Sequence, residues 1–125
     1  MLPIVTMNAP AAIGPYSQGI RHEKLVFVSG QLPIDPKTGE MISGDHAEQC
    51  RQCLRNVAAV LEGAGTSLDL VVKTTVMVTD LSQFGRINDA YAEFFKSNLP
   101  ARATFEVSAL PKGALVEIEA VAVCA

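Results

Sequence analysis

The sequence has few of the residues on which common catalytic sites depend. Its 125 residues include no tryptophan, only two histidines and three cysteines. Histidine is the usual proton carrier near neutral pH, so we expect any chemistry to depend on other groups. His22 and His46 stand apart from any obvious partner residue, and we expect both of them to have surface roles.

Positive charge and long apolar runs are also scarce. The ten Lys and Arg residues are scattered among thirteen Asp and Glu residues, which gives a net charge of -3. Clustered basic residues bind nucleic-acid phosphates, so nucleic acid is not the expected partner. The apolar runs are shorter than the roughly 18 residues of a membrane span, and the N-terminal stretch lacks the positive region of a signal peptide. We therefore expect a cytoplasmic protein with no membrane partner.

The cysteines give no sign of a metal or redox site. Cys50 and Cys53 form one C-x-x-C pair inside a predicted helix, and no second cysteine or histidine pair completes a zinc site. We expect them to pack in the helix as reduced thiols. The sequence also lacks the glycine-rich phosphate-binding motifs of nucleotide sites.

Apolar residues are in excess. They make up 49% of the chain, whereas charged residues make up 18% and typically account for about a quarter. The length suits a single domain, which we place at residues 1–125. A small domain has much surface to cover, so this excess indicates that part of the surface is buried against other copies of the chain.

Two helices are predicted from apolar residues that recur every three or four positions. Asp45 caps the first helix, with Glu48 at the capping-box spacing, and Gly63 with Gly65 ends it. Asp80 caps the second helix. One side of that second helix carries Phe84, Ile87, Tyr91, Phe94 and Phe95.

The strands complete an α+β domain. Residues 10–19 form a loop that leads into a strand, and residues 25–29 and 70–78 are rich in β-branched residues. Residues 103–110 and 114–123 are predicted as two further strands joined in a tight hairpin. The order ββαβαββ predicts a single mixed sheet with both helices on one face. Other copies of the chain are expected to cover the opposite face.

Arg102 is the first candidate for chemistry. It lies among small and apolar neighbours at the start of a predicted strand. A guanidinium held in such a place suits a carboxylate, which it grips with two parallel hydrogen bonds. An exposed arginine at a strand end is the alternative, because most arginines are surface residues.

Glu117 and Glu119 are two residues apart on a predicted strand, so they share one face and lie ~7 Å apart. A carboxylate there can act as a general base for water. Alternatively, the pair forms an interfacial ion pair or lies on the solvent side of an edge strand. A glycosidase with paired carboxylates is disfavoured, because the chain has no tryptophan to bind sugar rings.

Gly30 and Tyr16 are candidates for a binding site. Gly30 follows a buried strand, where glycine lets a ligand approach the backbone closely, although a simple strand-ending turn is the alternative. Tyr16 lies in the proline-containing loop at residues 14–19, where it either closes a pocket or packs against its neighbours.

Together these motifs resemble the Rid family, the reactive intermediate deaminases formerly called YjgF, and its RidA type in particular. The matching segments are NAPAAIGPYSQG at residues 8–19, SGQLP at 29–33, PARAT at 100–104 and IEA at 118–120. The resemblance covers essentially the whole chain. It implies a chorismate-mutase-like fold that assembles as a homotrimer with sites in the clefts between subunits. It also implies hydrolysis of 2-imino acids and enamines, such as 2-aminoacrylate, to 2-keto acids and ammonia without cofactor or metal.

The resemblance also implies a role for each site residue. Arg102 binds the substrate carboxylate, and Glu117 holds and activates the attacking water. The implied substrate-binding residues are Tyr16, Ser29, Gly30, Asn88 and Thr104. Of these, Tyr16 closes the pocket from the neighbouring subunit's side, and Thr104 offers its backbone N–H where many relatives have cysteine. The alternative function is a trimeric small-carboxylate-binding or regulatory protein without turnover, although the presence of both Arg102 and Glu117 favours the enzyme.

Overall fold

The computed structural model describes residues 1–124 and confirms an α+β fold with a mixed sheet and two α-helices. The elements are β1 (Leu2–Ile4), β2 (Gly19–His22), β3 (Leu25–Gln31), α1 (His46–Gly63), β4 (Val71–Val78), α2 (Phe84–Ala92), β5 (Ala101–Glu106) and β6 (Val116–Val123). Three strands precede α1, one more than predicted. The additional strand β1 has three residues and contains a proline, so it carries no alternating pattern to detect.

The six strands form one sheet in the order β1-β2-β3-β6-β4-β5. Neighbouring strands are antiparallel except β4 and β5, which are parallel. A parallel pair needs a crossover connection, and α2 provides it. This arrangement places β5 at one edge of the sheet and β6 near its centre.

The predicted hairpin between the last two strands is wrong. β6 lies between β3 and β4, and β5 ends at Glu106, four residues earlier than predicted. The connecting segment contains a 3-10 turn at Pro111–Gly113 instead of a hairpin turn. β6 is the more apolar and more buried strand and has a neighbour on each side in the interior of the sheet, whereas the more exposed β5 lies at the edge.

Both helices pack on the same face of the sheet, as predicted. The Asp45 side chain caps α1 by accepting a 2.9 Å hydrogen bond from the Glu48 backbone N–H. Cys50 and Cys53 are fully buried in α1, which confirms that they are packing residues. Burial raises the pKa of the Cys50 thiol to about 12, so it stays protonated and unreactive near neutral pH.

The start of α2 differs from the prediction. The Asp80 carboxylate accepts a 2.9 Å hydrogen bond from the Ser82 N–H and thereby caps a 3-10 turn at Leu81–Gln83. The α-helix begins at Phe84 and ends at Ala92, so Phe94 and Phe95 lie beyond it. A cap specifies where a helical turn starts, but it does not distinguish a 3-10 turn from an α-helical one.

The face of the sheet opposite the helices is open in the single chain. It carries apolar side chains that are about half exposed, including Phe27 at 45% and Phe105 at 48%. Glu117 and Glu119 lie on this face, together with Val121, as the two-residue spacing predicts. Among residues 1–124, neither α-helix is long and apolar enough to cross a membrane.

Candidate active site

A cavity of about 490 Å³ lies where β3 ends and β6 begins. Four of the predicted site residues line it: Tyr16, Ser29, Gly30 and Glu117. The remaining walls are mostly apolar and come from the loop before β2, the segment after β3 and the turn before β6. The structure therefore brings together a carboxylate and a small apolar chamber.

Gly30 and Glu117 are in direct contact. The register between β3 and β6 shifts between Val28 and Gln31, which is a bulge with one extra residue on β3. The Glu117 side chain occupies the space beside Gly30, and a Cβ atom on residue 30 would collide with Glu117 Oε2. Glycine at position 30 therefore leaves the space that the Glu117 carboxyl occupies, and a larger residue would displace that carboxyl.

The Glu117 carboxyl is half-buried and has no hydrogen-bond or ion-pair partner within the described part of the chain. Burial raises the pKa of this carboxyl, and the negative charge of Glu119 on the same face raises it further. A carboxylate with a raised pKa is a better proton acceptor than an ordinary one. Glu117 is thus suited to take a proton from a water molecule in the cavity.

Ser29 and Tyr16 are held by the loop that precedes β2. The Ser29 hydroxyl donates a 2.5 Å hydrogen bond to the Ser17 carbonyl, and the Tyr16 hydroxyl accepts one of 3.4 Å from the Ile13 N–H. The Tyr16 ring folds against Gly14, whose φ of +134° requires glycine. Tyr16 is 53% exposed, so its ring forms an outer wall of the cavity in the single chain.

Two buried amides position this cavity, and the sequence analysis did not identify them. Gln18 accepts a 2.8 Å hydrogen bond from the Thr6 N–H and donates one of 2.8 Å to the Pro10 carbonyl, which fixes the loop. Asn56 on α1 donates to the carbonyls of Leu32 and Ile34 at 2.9 Å each. A polar residue amid the apolar face of α1 was a detectable signal for Asn56, and Gln18 lies within the family-like segment at residues 8–19.

Arg102 lies on β5 and extends over α2. Its Nη1 donates a 2.8 Å hydrogen bond to Asn88 Oδ1. Its Cζ lies 4.8 Å from the centroid of the Tyr91 ring and 5.5 Å from that of Phe84. No carboxylate of residues 1–124 forms a salt bridge with Arg102. The hydrogen bond to Asn88 and the two rings therefore orient the guanidinium, and no carboxylate of the described residues neutralises its positive charge.

Thr104 is two residues from Arg102 on β5 and faces the same side of the sheet. Its Oγ1 atom is buried and has no hydrogen-bond partner among the residues that the structure describes. A buried hydroxyl without a partner carries a desolvation cost. A cysteine thiol, which forms weaker hydrogen bonds, would lose less at this position.

Arg102 and Glu117 do not meet within one chain. Arg102 pairs in register with Thr74, which is fully buried on the helix-covered face. Glu117 pairs with Met77 on the open face. Arg102, Thr104 and Asn88 are accordingly absent from the residues that line the Glu117 cavity. The predicted site residues form two groups, one on each face of the sheet.

The histidines lie outside both groups. His22 is exposed, and His46 is partly buried with its Nε2 3.4 Å from Thr79 Oγ1. Within residues 1–124, no group of three or more His, Cys, Asp or Glu side chains could hold a metal ion.

Comparison with known proteins places this chain in a family. A family model described as endoribonuclease L-PSP matches residues 6–124. A RutC family protein of Sinorhizobium fredii is 59% identical over 119 residues, which are 95% of this chain and 94% of that protein. The human protein named 2-iminobutanoate/2-iminopropanoate deaminase is 48% identical over 120 residues, which are 96% of this chain and 88% of that protein.

Solved structures agree with the sequence matches. The crystal structure of E. coli TdcF with bound serine is 43% identical and superposes with a TM-score of 0.96, covering 100% of both chains. The chain therefore belongs to the endoribonuclease L-PSP family, which is the Rid (YjgF) family that its sequence motifs resemble.

Proposed function

We propose that this protein hydrolyses reactive 2-imino acids and their enamine tautomers to 2-keto acids and ammonia. The observation that carries the proposal is the pair of unneutralised groups, the Arg102 guanidinium and the Glu117 carboxyl of raised pKa. The guanidinium is suited to bind the substrate carboxylate, and the carboxyl is suited to accept a proton from the attacking water. The human relative's name, 2-iminobutanoate/2-iminopropanoate deaminase, supports the same substrate class. Serine bound to TdcF supports a ligand with an amino-acid carboxylate.

The site is proposed to lie between subunits of a homotrimer. Arg102 and Glu117 face opposite sides of one sheet, so a site that contains both needs a second chain. The open face supplies an apolar surface for assembly, on which Phe27 and Phe105 are about half exposed. Tyr16, at the outer wall of the Glu117 cavity, is well placed to be covered by a neighbouring subunit.

The proposed reaction needs no cofactor, because the carbon of a protonated imine is already electrophilic. Arg102 holds the substrate carboxylate through charge-assisted hydrogen bonds and so fixes the imine carbon. Glu117 accepts a proton as the water oxygen bonds to that carbon, and it returns the proton to the nitrogen. The carbon–nitrogen bond then breaks as the new hydroxyl becomes the carbonyl and gives its proton to Glu117. Glu117 passes this proton to the departing ammonia, so the products are the 2-keto acid and ammonium, and the carboxylate is restored. Orientation and one general base suffice for this step.

Nucleic acid is not proposed as a substrate, although the family is named for an endoribonuclease. The net charge is -3 and the ten basic residues are scattered along the sequence. A surface that binds a phosphate backbone needs several adjacent Lys and Arg residues.

The test uses an imino acid generated in situ by an amino-acid oxidase. We expect the protein to accelerate release of the 2-keto acid above the uncatalysed rate, in proportion to its concentration. Binding of 2-ketobutyrate without any acceleration of keto-acid release would overturn the proposed enzymatic activity. That result would favour the alternative of a carboxylate-binding protein. Acceleration that persists after the protein is heat-denatured would show that the protein is not its source.

Substituting Gly30 with alanine should reduce kcat/KM by about tenfold or more, because the new Cβ displaces the Glu117 carboxyl. The keto-acid assay measures the loss, and a thermal melt checks the fold. Gly113→Ala is a poor control since its φ is +72°, whereas Gly85 has open space beside it and no positive φ. Gly85→Ala should leave the rate near the wild-type value. Equal rates for Gly30→Ala and wild type would contradict the placement of Glu117.

Substituting Phe27 with glutamate should prevent assembly, because it puts an unpaired carboxylate into an apolar interface at a cost of several kcal/mol. Sedimentation equilibrium should give the monomer mass for this variant and three times that mass for the wild type. Ala92→Glu, at an exposed position on α2, should remain trimeric. A trimeric Phe27→Glu variant would rule out the open face as the interface.

A further inference from the structure

One face of α2 forms a cradle for the Arg102 side chain. Phe84, Asn88 and Tyr91 are spaced by four and three residues, so their side chains lie on the same side of the helix. All three contact the Arg102 side chain, Asn88 through a hydrogen bond and the two aromatic residues through their rings. The Tyr91 ring is the nearer of the two rings to Arg102 Cζ.

Tyr91 is fixed on its other side by the sheet and by a neighbouring ring. Its hydroxyl lies 2.8 Å from Thr74 Oγ1, and both side chains are buried. Thr74 is the residue of β4 that pairs in register with Arg102. The ring of Phe95 packs against Tyr91 with 4.7 Å between centroids. The Tyr91 ring that supports the guanidinium is therefore anchored to β4, at the residue that pairs with Arg102 on β5.

A ring face holds a cation without neutralising it. Two arginines on the helices, Arg51 and Arg86, show the contrast. Arg51 forms salt bridges with Glu48 and Glu93 at 2.6 and 3.0 Å, and Arg86 lies 3.7 Å from Asp45. A carboxylate beside Arg102 would compete with an incoming anion, whereas the π-electrons of Tyr91 attract the guanidinium and leave its N–H donors available.

We propose that Tyr91, anchored by Thr74, is a positioning residue that holds the Arg102 guanidinium in the orientation that binds the substrate carboxylate. The proposal rests on the proposed function, because it assumes that Arg102 binds that carboxylate. Tyr91 acts through Arg102 and does not itself contact the reacting atoms. Its contribution is consequently to substrate binding and not to the chemical step.

Tyr91→Leu is the principal test, because it removes the ring face and retains an apolar side chain. KM for the imino acid and Kd for 2-ketobutyrate should each rise about tenfold, with kcat within about twofold of wild type. Tyr91→Phe retains the ring and should keep most of the affinity. Phe94→Leu is the matched control, since Phe94 packs against the core but is paired with neither Tyr91 nor Arg102 among the ring contacts. It should leave KM unchanged.

A second measurement does not depend on activity or on the folding of a variant. In the wild-type protein, the side-chain proton resonances of Arg102 should be shifted upfield by the ring current of Tyr91. Resonances at ordinary arginine positions would overturn the proposal, as would equal rises of KM in Tyr91→Leu and Phe94→Leu. Failure of the wild type to bind 2-ketobutyrate or to hydrolyse imines would instead refute the proposed function, and the resonances would still test the cradle.

Discussion

Arg102→Ala should lower kcat/KM for a 2-imino acid by about 100- to 1,000-fold. Truncating one partner of a charge-assisted, hydrogen-bonded pair costs about 3–4 kcal/mol, and each 1.4 kcal/mol corresponds to a factor of ten. Without the guanidinium, the substrate carboxylate has no fixed partner and the imine carbon is not held near the water. The keto-acid assay measures this loss after subtraction of the uncatalysed rate.

Three controls separate this effect from misfolding and from loss of charge alone. Arg102→Ala should keep the oligomeric mass of the wild type. Arg102→Lys keeps the positive charge but loses the planar fork, so it should fall between wild type and alanine. Arg86→Ala removes another arginine, whose pairing with Asp45 is exposed, and should change the rate little. Full activity in Arg102→Ala would show that Arg102 does not bind the substrate carboxylate.

Glu117→Gln should lower kcat by about 100-fold or more and change KM little. General-base catalysis contributes about 10²–10⁴-fold to a rate, and the amide of glutamine cannot accept the proton. Glutamine has nearly the same shape, so the contact with Gly30 and the cavity walls is preserved. Steady-state kinetics with the in situ imine separates the two constants. A variant with unchanged kcat would show that water attacks without help from Glu117.

The pH profile gives an independent test of Glu117. Burial raises the pKa of this carboxyl, so the wild-type rate should fall with acidification from a higher pH than an ordinary carboxyl would give. Glu119→Gln removes the nearby charge that also raises this pKa, so the acid limb should shift to lower pH with the plateau rate retained. Glu117→Gln should have no acid limb from this group.

The same raised pKa predicts a change in stability of defined sign. A carboxyl whose pKa is higher in the folded state stabilises the fold in its protonated form, and that contribution is lost as the pH rises through the folded pKa. Glu117→Gln should therefore raise Tm at neutral pH, and the difference from wild type should shrink as the pH falls. A lower Tm at neutral pH would indicate that the ionised carboxylate is stabilised by a partner.

Local features of the fold were predictable from the sequence because they depend on neighbouring residues. The cap at Asp45 and the apolar periodicity after it define α1, which ends at Gly63 as predicted. The alternation in β6 placed Glu117 and Glu119 on one face. The extent of α2 was less well predicted, since the turn that Asp80 caps proved to be a 3-10 turn.

The candidate site was predictable as a set of residues but not as an arrangement. The motifs around Tyr16, Gly30 and Arg102 identified the residues, and the spacing of strand residues identified Glu117. The aromatic support of Arg102 was not foreseen, because Tyr91 was interpreted as part of an apolar helix face. Its contact with Arg102 depends on the crossover that brings α2 over β5, which no local pattern specifies.

By itself the sequence determined the order and type of most elements, the family and the residues that carry the proposed chemistry. The tertiary structure alone decided that β5 pairs with β4 in parallel and that β6 lies inside the sheet. It also decided that Arg102 and Glu117 face opposite sides of that sheet. The physical reason is that periodicity and capping are short-range effects, whereas strand order depends on which distant apolar faces pack together.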